Sequence, residues 1–290
     1  MTAPLPPGDY EALIALIHER FDQMSKTYQK ISVFLTQNPN EVAVQSVNAI
    51  AERCGIHASS FVRFAQALGY SGFKDLQVLF QRRLSTAAPG FEARVHALEQ
   101  GLSGREDKSD LGFLRDLIVQ DIASLQELLD GIDSADFGRA ADLIHGAETV
   151  YLIGQLRSEP VVVLIRYLLT MLGKRCALLD VGGGLATHMA RVMTPDDVLL
   201  AVSFRFYANE VVSIVDEASQ GRVPTIAITD STLSPIAKSA EVLFAVPEHD
   251  HAFSRSLAAP ICLAQALTVA VAARLQPEGA APRIPTVTQA

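Results

Sequence analysis

The sequence predicts two domains: an all-α helix-turn-helix bundle, then an α/β domain with a parallel five-stranded sheet covered by helices on both faces. Three observations predict this arrangement. Apolar residues recur at helical spacing over residues 1–85, five short apolar segments alternate with helical segments after residue 148, and a stretch of small and charged residues separates the two regions. At 290 residues, the chain is long enough for each domain to bury its own core.

The first domain is expected to contain four helices, over residues 10–38, 44–54, 59–68 and 72–84. The pair Asn38 and Pro39 ends the first, and Gly55 and Gly69 end the next two. In this region bases outnumber acids by 8 to 7, whereas the remainder holds 16 bases and 25 acids and the net charge is -8. This distribution permits an N-terminal DNA-binding domain without requiring one.

Residues 47–66 have the pattern of a helix-turn-helix. Ala51 is small where two helices would cross, and Gly55 can adopt the positive φ of the turn. The side chains expected to face outward at the start of the second helix are His57, Ala58, Ser59, Ser60, Val62, Arg63 and Gln66. Short polar groups there can approach phosphates and base edges, and Arg63 or Gln66 can make two-pronged base contacts. A helical bundle that mediates protein contacts fits the same spacing.

Residues 46–77, SVNAIAERCGIHASSFVRFAQALGYSGFKDLQ, resemble the N-terminal domain of the RpiR/MurR family of bacterial transcription regulators. The residues that carry this resemblance are Arg63, Phe64, Leu68, Gly69, Tyr70, Gly72, Phe73 and Asp75. The resemblance implies binding to a double-stranded DNA operator through His57, Ala58, Ser59, Ser60, Arg63 and Gln66. Family members often carry Ser at the position of His57. Because His57 caps a helix less well than Ser, we expect Ser59 or the backbone to share that task.

The second region begins after a predicted linker. We divide the chain into the helix-turn-helix domain (1–85), a linker (86–110), an effector-binding α/β domain (111–275) and a disordered tail (276–290). A helix over 111–129 carries one apolar stripe: Leu111, Leu114, Leu117, Ile118, Ile122, Leu125, Leu128 and Leu129. The stripe can pair with a second copy of the chain, although packing against the following domain is the more frequent outcome.

Strands and helices alternate in the rest of the chain. Strands are predicted at 149–153, 176–179, 198–203, 225–229 and 242–246, and helices at 161–172, 185–193, 209–220, 235–240 and 257–274. This alternation predicts a parallel sheet with ligands at the carboxyl ends of its strands.

The stretch 198–210, VLLAVSFRFYANE, is the strongest candidate for a ligand site. A strand ends at Ser203 and a helix begins near Asn209, so backbone N–H groups and a helix N-terminus favour an anion there. Ser203 can donate a hydroxyl hydrogen bond, and Arg205 offers a planar fork to phosphate or carboxylate. Alternatively, the junction binds nothing, like many in parallel sheets. Gly154 and Ser158 occupy the corresponding loop after the first strand.

Residues 149–172, 198–211 and 223–246 resemble the SIS (sugar isomerase) domain, which binds phosphosugars in enzymes and regulators. The run AITDSTLSPIAKSAEVLFAVP is particularly similar. A helix-turn-helix followed by an SIS domain is the order found in RpiR/MurR regulators. The resemblance implies a non-enzymatic homodimer or homotetramer that binds a small anionic sugar derivative. The residues expected at its effector site are Gly154, Ser158, Ser203, Arg205, Glu210, Ser254 and Arg255.

The effector loop departs from the family pattern. Phosphosugar-binding SIS domains commonly show Ser-x-Ser-Gly-x-Thr, but Arg205, Phe206 and Ala208 stand where Ser, Gly and Thr would. Arg205 can replace several neutral donors with a bidentate ion pair to a phosphate or a sugar acid. Alternatively, it pairs with an acid such as Glu210, and the phosphate site is lost.

Two other functions fit parts of the sequence. A sugar-phosphate isomerase would need an acid and a base, for which Glu210 and His188 are the candidates. A phosphosugar-binding protein without DNA contact fits the acidic net charge. A metal site in the segment 248–251 (EHDH) is less consistent with the sequence than a solvated loop.

The composition, 49% hydrophobic and 19% charged, is typical of a soluble globular protein. We expect a cytoplasmic protein with no membrane partner, because no charge-free apolar run reaches the ~18 residues of a membrane span and the N-terminus lacks signal-peptide features. Cys54, Cys176 and Cys262 lie far apart with no CxxC pair, so neither a disulfide framework nor a zinc site is indicated. We expect no cofactor.

Overall fold

The computed structural model of the protein describes residues 6–85, 109–180, 184–204, 207–246 and 255–276. The chain divides into two compact units, Met1–Ala97 and Leu98–Ala290. Most of the predicted linker and tail lies outside the described residues, so the domain boundaries remain predictions.

The first unit is helical, as the sequence predicts. Its helices are α1 (Tyr10–Arg20), α2 (Lys26–Gln37), α3 (Pro39–Val44), α4 (Val47–Cys54), α5 (Ala58–Ala67) and α6 (Phe73–Ser85). The helices predicted over 10–38 and 44–54 are wrong as continuous elements. Ser25 and Ser46 adopt extended backbone, and their hydroxyls accept the N–H groups of Tyr28 and Ala49, so each begins a new helix.

The turn between α4 and α5 has the geometry that the sequence predicts. Gly55 takes a φ of 63°, in the left-handed region. Its N–H donates to the Glu52 carbonyl at 3.1 Å, and the Ile56 N–H donates to the Ala51 carbonyl at 3.0 Å. This pair of bonds is a Schellman motif, which satisfies the last carbonyls of α4 and directs the chain into α5.

The second unit is a doubly wound α/β domain, which confirms the predicted fold class. Its sheet has the order β2-β1-β3-β4-β5, and every pairing is parallel. The strands are β1 (Val150–Gly154), β2 (Cys176–Leu178), β3 (Val198–Ser203), β4 (Thr225–Thr229) and β5 (Val242–Ala245). The helices are α7 (Asp110–Gly131), α8 (Ser134–Gly146), α9 (Glu159–Met171), α10 (Ala186–Ala190), α11 (Asn209–Gln220) and α12 (Ala258–Leu275).

The two faces of the sheet are covered by different helices. The C-terminal part of α7, with α8, α9 and α12, packs on one face against side chains such as Leu152, Leu200 and Ile228. The other face packs against α10 and α11 through residues such as Leu199 and Ala227. Burial on both sides explains why β3 and β4 are continuous apolar runs.

Two predictions for this unit are wrong. Helix α8 is not among the predicted elements, because its sequence presents small residues such as Ala140 and Ala141 rather than a long apolar stripe. The helix predicted over 235–240 is a single 3-10 turn, Ala237–Ser239, because the chain returns to extended backbone at Ala240 just before β5.

Helix α12 corrects the expectation that no apolar segment is as long as a membrane span. By length and composition alone it could cross a membrane, and 39% of it is buried inside the protein. Leu263, Ala264, Leu267 and Val271 belong to the core beneath the sheet. The side of α12 that faces the sheet therefore forms part of the domain core.

Candidate functional site

The start of α5 is the candidate DNA-binding face. His57 is the N-cap residue in extended backbone and makes no side-chain capping bond, while the Ser60 N–H donates to its carbonyl at 2.8 Å. The side chains of His57, Ser59, Arg63 and Gln66 are exposed, and Ala58 is half-buried. The first N–H groups of a helix without a side-chain cap are available to a phosphate.

The outward-facing prediction is wrong for Ser60, which is only 9% exposed. Ser60 lies one helical turn before Phe64, which is fully buried, and so shares its inward side of α5. Ser60 thus belongs to the packing of the bundle.

The candidate effector site lies where the strand order of the sheet reverses. After β1 the chain moves to β2 on one side and later to β3 on the other, so the carboxyl ends of β1 and β3 diverge around a crevice. Gly154 at the end of β1 pairs with Val202, one residue before Ser203. Crevices at such switch points are the usual ligand sites of open parallel sheets.

Gly154 allows the backbone to pass closely at this point. A Cβ on residue 154 would lie 3.1 Å from the Ser158 carbonyl oxygen, 3.1 Å from Val162 Cγ1 and 3.2 Å from the Val202 carbonyl oxygen. The glycine thus lets the loop after β1 fold tightly against β3, and this packing accounts for it without a ligand contact.

Ser158 and Ser203 come together at this edge of the sheet. Both are buried, and the Ser158 hydroxyl accepts the Phe204 N–H at 3.4 Å. The Thr229 hydroxyl donates to the Ser203 carbonyl at 2.7 Å. These bonds connect the loops that follow β1 and β3 with the end of β4.

A second connection joins Gln155 and Glu210 across the crevice. The Gln155 Nε2 donates to a Glu210 carboxylate oxygen at 2.6 Å. Glu210 is exposed in the first turn of α11, whose N-cap residue, Ala208, provides no side-chain bond. A carboxylate at this position is favoured by the helix dipole. Gln155 was not among the predicted site residues, and no motif indicates it.

Arg157 is another site residue that the sequence did not reveal. Its Nη1 donates to the carbonyl oxygens of Arg255 and Ser256, at 3.4 and 3.3 Å, and its guanidinium lies 4.7 Å from the centre of the Phe204 ring. A cation over an aromatic face is attractive, especially when partly desolvated. Arg157 therefore ties the loop after β1 to the start of the chain leading into α12.

Of the remaining residues predicted at the effector site, the structure describes Arg255 but not Arg205 or Ser254. Arg255 is half-buried, and its backbone lies beside Arg157. The Ser256 hydroxyl accepts the Ala258 N–H at 3.0 Å, one residue before the N-cap Leu257, which itself makes no side-chain capping bond. Arg205 and Ser254 lie outside the described residues, as do Phe206 and the segment 248–251.

Tyr207 adds a further polar contact on the loop after β3, because its hydroxyl donates to Asp230 Oδ1 at 2.8 Å. The crevice thus combines hydroxyl groups, a guanidinium, a helix N-terminus without a side-chain cap, and the carboxylates of Glu210 and Asp230. Such a set can bind a small ligand that carries both an anionic group and hydroxyl groups.

Family models match a segment in each of the two units. Residues 11–87 match the family model for the helix-turn-helix domain of the rpiR family, and residues 143–270 match the SIS domain. An uncharacterized HTH-type transcriptional regulator of Thermotoga maritima is 23% identical over 234 residues, which are 80% of this chain and 80% of that protein.

Two solved structures share the fold. The sugar isomerase domain of an RpiR transcription factor from Sphaerobacter thermophilus is 28% identical, with a TM-score of 0.53 over 55% of this chain and 89% of that one. The NanR protein of Vibrio vulnificus, solved in complex with ManNAc-6P, is 18% identical, with a TM-score of 0.52 over 90% of this chain and 92% of that one.

Proposed function

Because this chain belongs to the RpiR family of transcriptional regulators, with a DNA-binding helix-turn-helix domain and an SIS domain, we propose that it controls genes of sugar metabolism or uptake. In this proposal a small anionic sugar derivative, a sugar phosphate or a sugar acid, binds the crevice between β1 and β3. Its binding changes the affinity of the protein for an operator. The observation that carries the proposal is a helix-turn-helix unit and a switch-point crevice in one chain.

On the DNA side, α5 is the recognition helix. The exposed Arg63 and Gln66 read base edges, while His57, Ser59 and the first N–H groups of α5 contact phosphates. A homodimer or homotetramer would place two such helices on a repeated operator, with the half-sites separated by about one helical turn of DNA or a multiple of it.

On the effector side, the chemistry of the crevice favours an anion. The N-terminus of α11 and the guanidinium of Arg157 supply positive charge, and Ser158 and Ser203 supply hydroxyls. Arg205 stands on the same loop and would add a planar fork. The complex of NanR with ManNAc-6P supports a phosphosugar as one class of ligand for this fold.

Control of DNA binding requires the effector to bind the DNA-competent and DNA-incompetent states with different affinity. The hydrogen bond from Gln155 to Glu210 and the contact of Arg157 with the Phe204 ring bridge the crevice, and a bound ligand would rearrange them. The alternative of an isomerase rests on Glu210 and His188. Glu210 accepts a hydrogen bond from Gln155, however, and the side chains of both Glu210 and His188 are exposed, so neither lies in an enclosed site that excludes water.

A panel of sugar phosphates and sugar acids tests this proposal. We expect at least one of them to raise the melting temperature of the protein and to shift its affinity for DNA upstream of its own or a neighbouring operon. Ser203→Ala should weaken the response, whereas Ser213→Ala, on the exposed side of α11, should leave it unchanged. A protein without sequence preference for any such DNA at moderate salt would refute the regulator proposal.

A further inference from the structure

Leu156, in the loop after β1, has a strained backbone. Its φ is 54°, and within the described part of the chain Arg222 is the other non-glycine residue with a positive φ. The left-handed region is costly for an L-residue, and the Leu156 side chain gains little from packing because it is 76% exposed. Strain of this kind persists only where the surrounding structure holds it, and it clusters at functional sites.

Arg222 differs from Leu156 because helix termination accounts for its positive φ. It directly follows α11 and its cap, and its N–H and that of the next residue donate to carbonyls in the last turn of α11, at 3.1 and 2.9 Å. This pair of bonds is a Schellman motif, which places a left-handed residue there. Leu156 ends no helix, since it follows a strand and begins a single 3-10 turn. The strain at Leu156 therefore needs another explanation.

The neighbours of Leu156 are held by distant parts of the α/β unit. Gln155 donates to a carboxylate in the first turn of α11 at 2.6 Å, and Arg157 donates to two carbonyl oxygens ahead of α12 at 3.4 and 3.3 Å. The Ser158 hydroxyl accepts the Phe204 N–H at 3.4 Å. These groups can all bind an anion in the crevice, but here they are bonded within the protein. An anion that uses them must first displace these bonds.

From the strain and these internal bonds we infer that Leu156 is a positioning residue of the effector site. We name residues 155–158 the β1 loop. The strain at Leu156 makes the bonded form of the β1 loop less stable, and an effector that replaces the bonds lets Leu156 leave the left-handed region. The released strain then adds to the affinity for the effector. The inference rests on the proposed function in taking the crevice as the effector site, and it names the element that the effector moves.

Replacement of Leu156 by glycine tests this role, because glycine adopts the left-handed region without a penalty. Leu156→Gly stabilises the bonded form of the β1 loop, so the effector should bind about 5–30-fold more weakly, the factor equivalent to the strain. Leu156→Ala is the matched variant, since alanine keeps the backbone penalty and lacks only the leucine side chain. It should bind like the wild type. Leu156→Asn should lie between the two, because Asn tolerates this region better.

Calorimetric titration of the full-length protein measures these affinities. The titrants are inorganic phosphate and the sugar phosphate or sugar acid that raises the melting temperature of the wild type most. Arg222→Gly is the control, because it removes a left-handed L-residue at the opposite end of α11 from the crevice. It should bind the titrants like the wild type. If Leu156→Gly loses its cooperative melting transition, the difference between Leu156→Asn and Leu156→Ala tests the same order.

A folded Leu156→Gly that binds as tightly as the wild type, or more tightly, would overturn the inference. Equal weakening in Leu156→Ala and Leu156→Gly would overturn it too, because the leucine side chain rather than the backbone would then matter. Equal weakening in Arg222→Gly would show an effect that is not specific to the β1 loop, with the same consequence. If no titrant raises the melting temperature of the wild type, the effector part of the proposed function fails, and the inference fails with it.

Discussion

Replacement of Gly55 by Ala tests the turn that aims the recognition helix. Gly55 has a φ of 63°, and a Cβ added there would meet no atom within 4 Å. The cost is therefore conformational rather than steric. An L-residue in the left-handed region costs about 1–2 kcal/mol. The smaller entropy of the unfolded chain returns about 0.4–1 kcal/mol. The net expectation is a loss of about 1 kcal/mol from the first unit.

Native-state hydrogen exchange of the full-length protein measures this loss through the slowest amides of α4 and α5. Gly8→Ala is the control in the same unit, because residue 8 has open space and no positive φ. Its exchange should stay within about 0.5 kcal/mol of the wild type. Gly55→Asn should cost less than Gly55→Ala, because Asn tolerates the left-handed region better. Equal stability of Gly55→Ala and Gly8→Ala would refute the assignment of strain to this turn.

Three further predictions concern single side chains. Burial, with the charges of Asp75 and Asp9, raises the pKa of Tyr70 from 10.0 to about 12. The neutral phenol therefore stabilises the first unit fully below pH 10, and this stability is lost as the pH rises to about 12. Between pH 10 and pH 12 the melting temperature of Tyr70→Phe should fall less steeply than that of the wild type. Arg63→Ala should weaken operator binding by about 1–3 kcal/mol in a gel-shift titration, and equal loss on unrelated DNA would show a phosphate contact instead. Arg205→Ala should abolish the response to the identified effector while Arg205→Lys keeps part of it; an intact response would exclude the proposed anion contact.

The sequence predicts the sheet well because a strand that is buried on both faces appears in the sequence as a continuous apolar run. β3 and β4 are continuous runs of buried residues, and the structure places them at the predicted residues, as it does α11. Helix α8 was missed because it buries small alanines. The helix over 10–38 was predicted as one element because the apolar spacing continues across Ser25, whose hydroxyl nevertheless begins a new helix.

The residues of the candidate site could be predicted only where the local sequence determines their position in the fold. Ser158 and Ser203 follow strands whose carboxyl ends meet, so their proximity follows from the parallel sheet. Gln155 and Arg157 act on partners 55 and nearly 100 residues away, and no spacing in the sequence encodes such contacts. Ser60 is polar and is therefore predicted to face outward, but it lies one helical turn before the buried Phe64 and shares its inward side of α5.

The affinity of the full-length protein for DNA upstream of its own operon, measured with and without sugar phosphates and sugar acids, tests the central claim most directly. We predict sequence-specific binding that weakens as salt rises, with a slope set by the number of phosphates contacted. We also predict that at least one of these anions changes the dissociation constant, and that Ser203→Ala reduces this change. Sequence-specific binding that no sugar anion alters would contradict the account of the crevice, and binding without sequence preference would contradict the account as a whole.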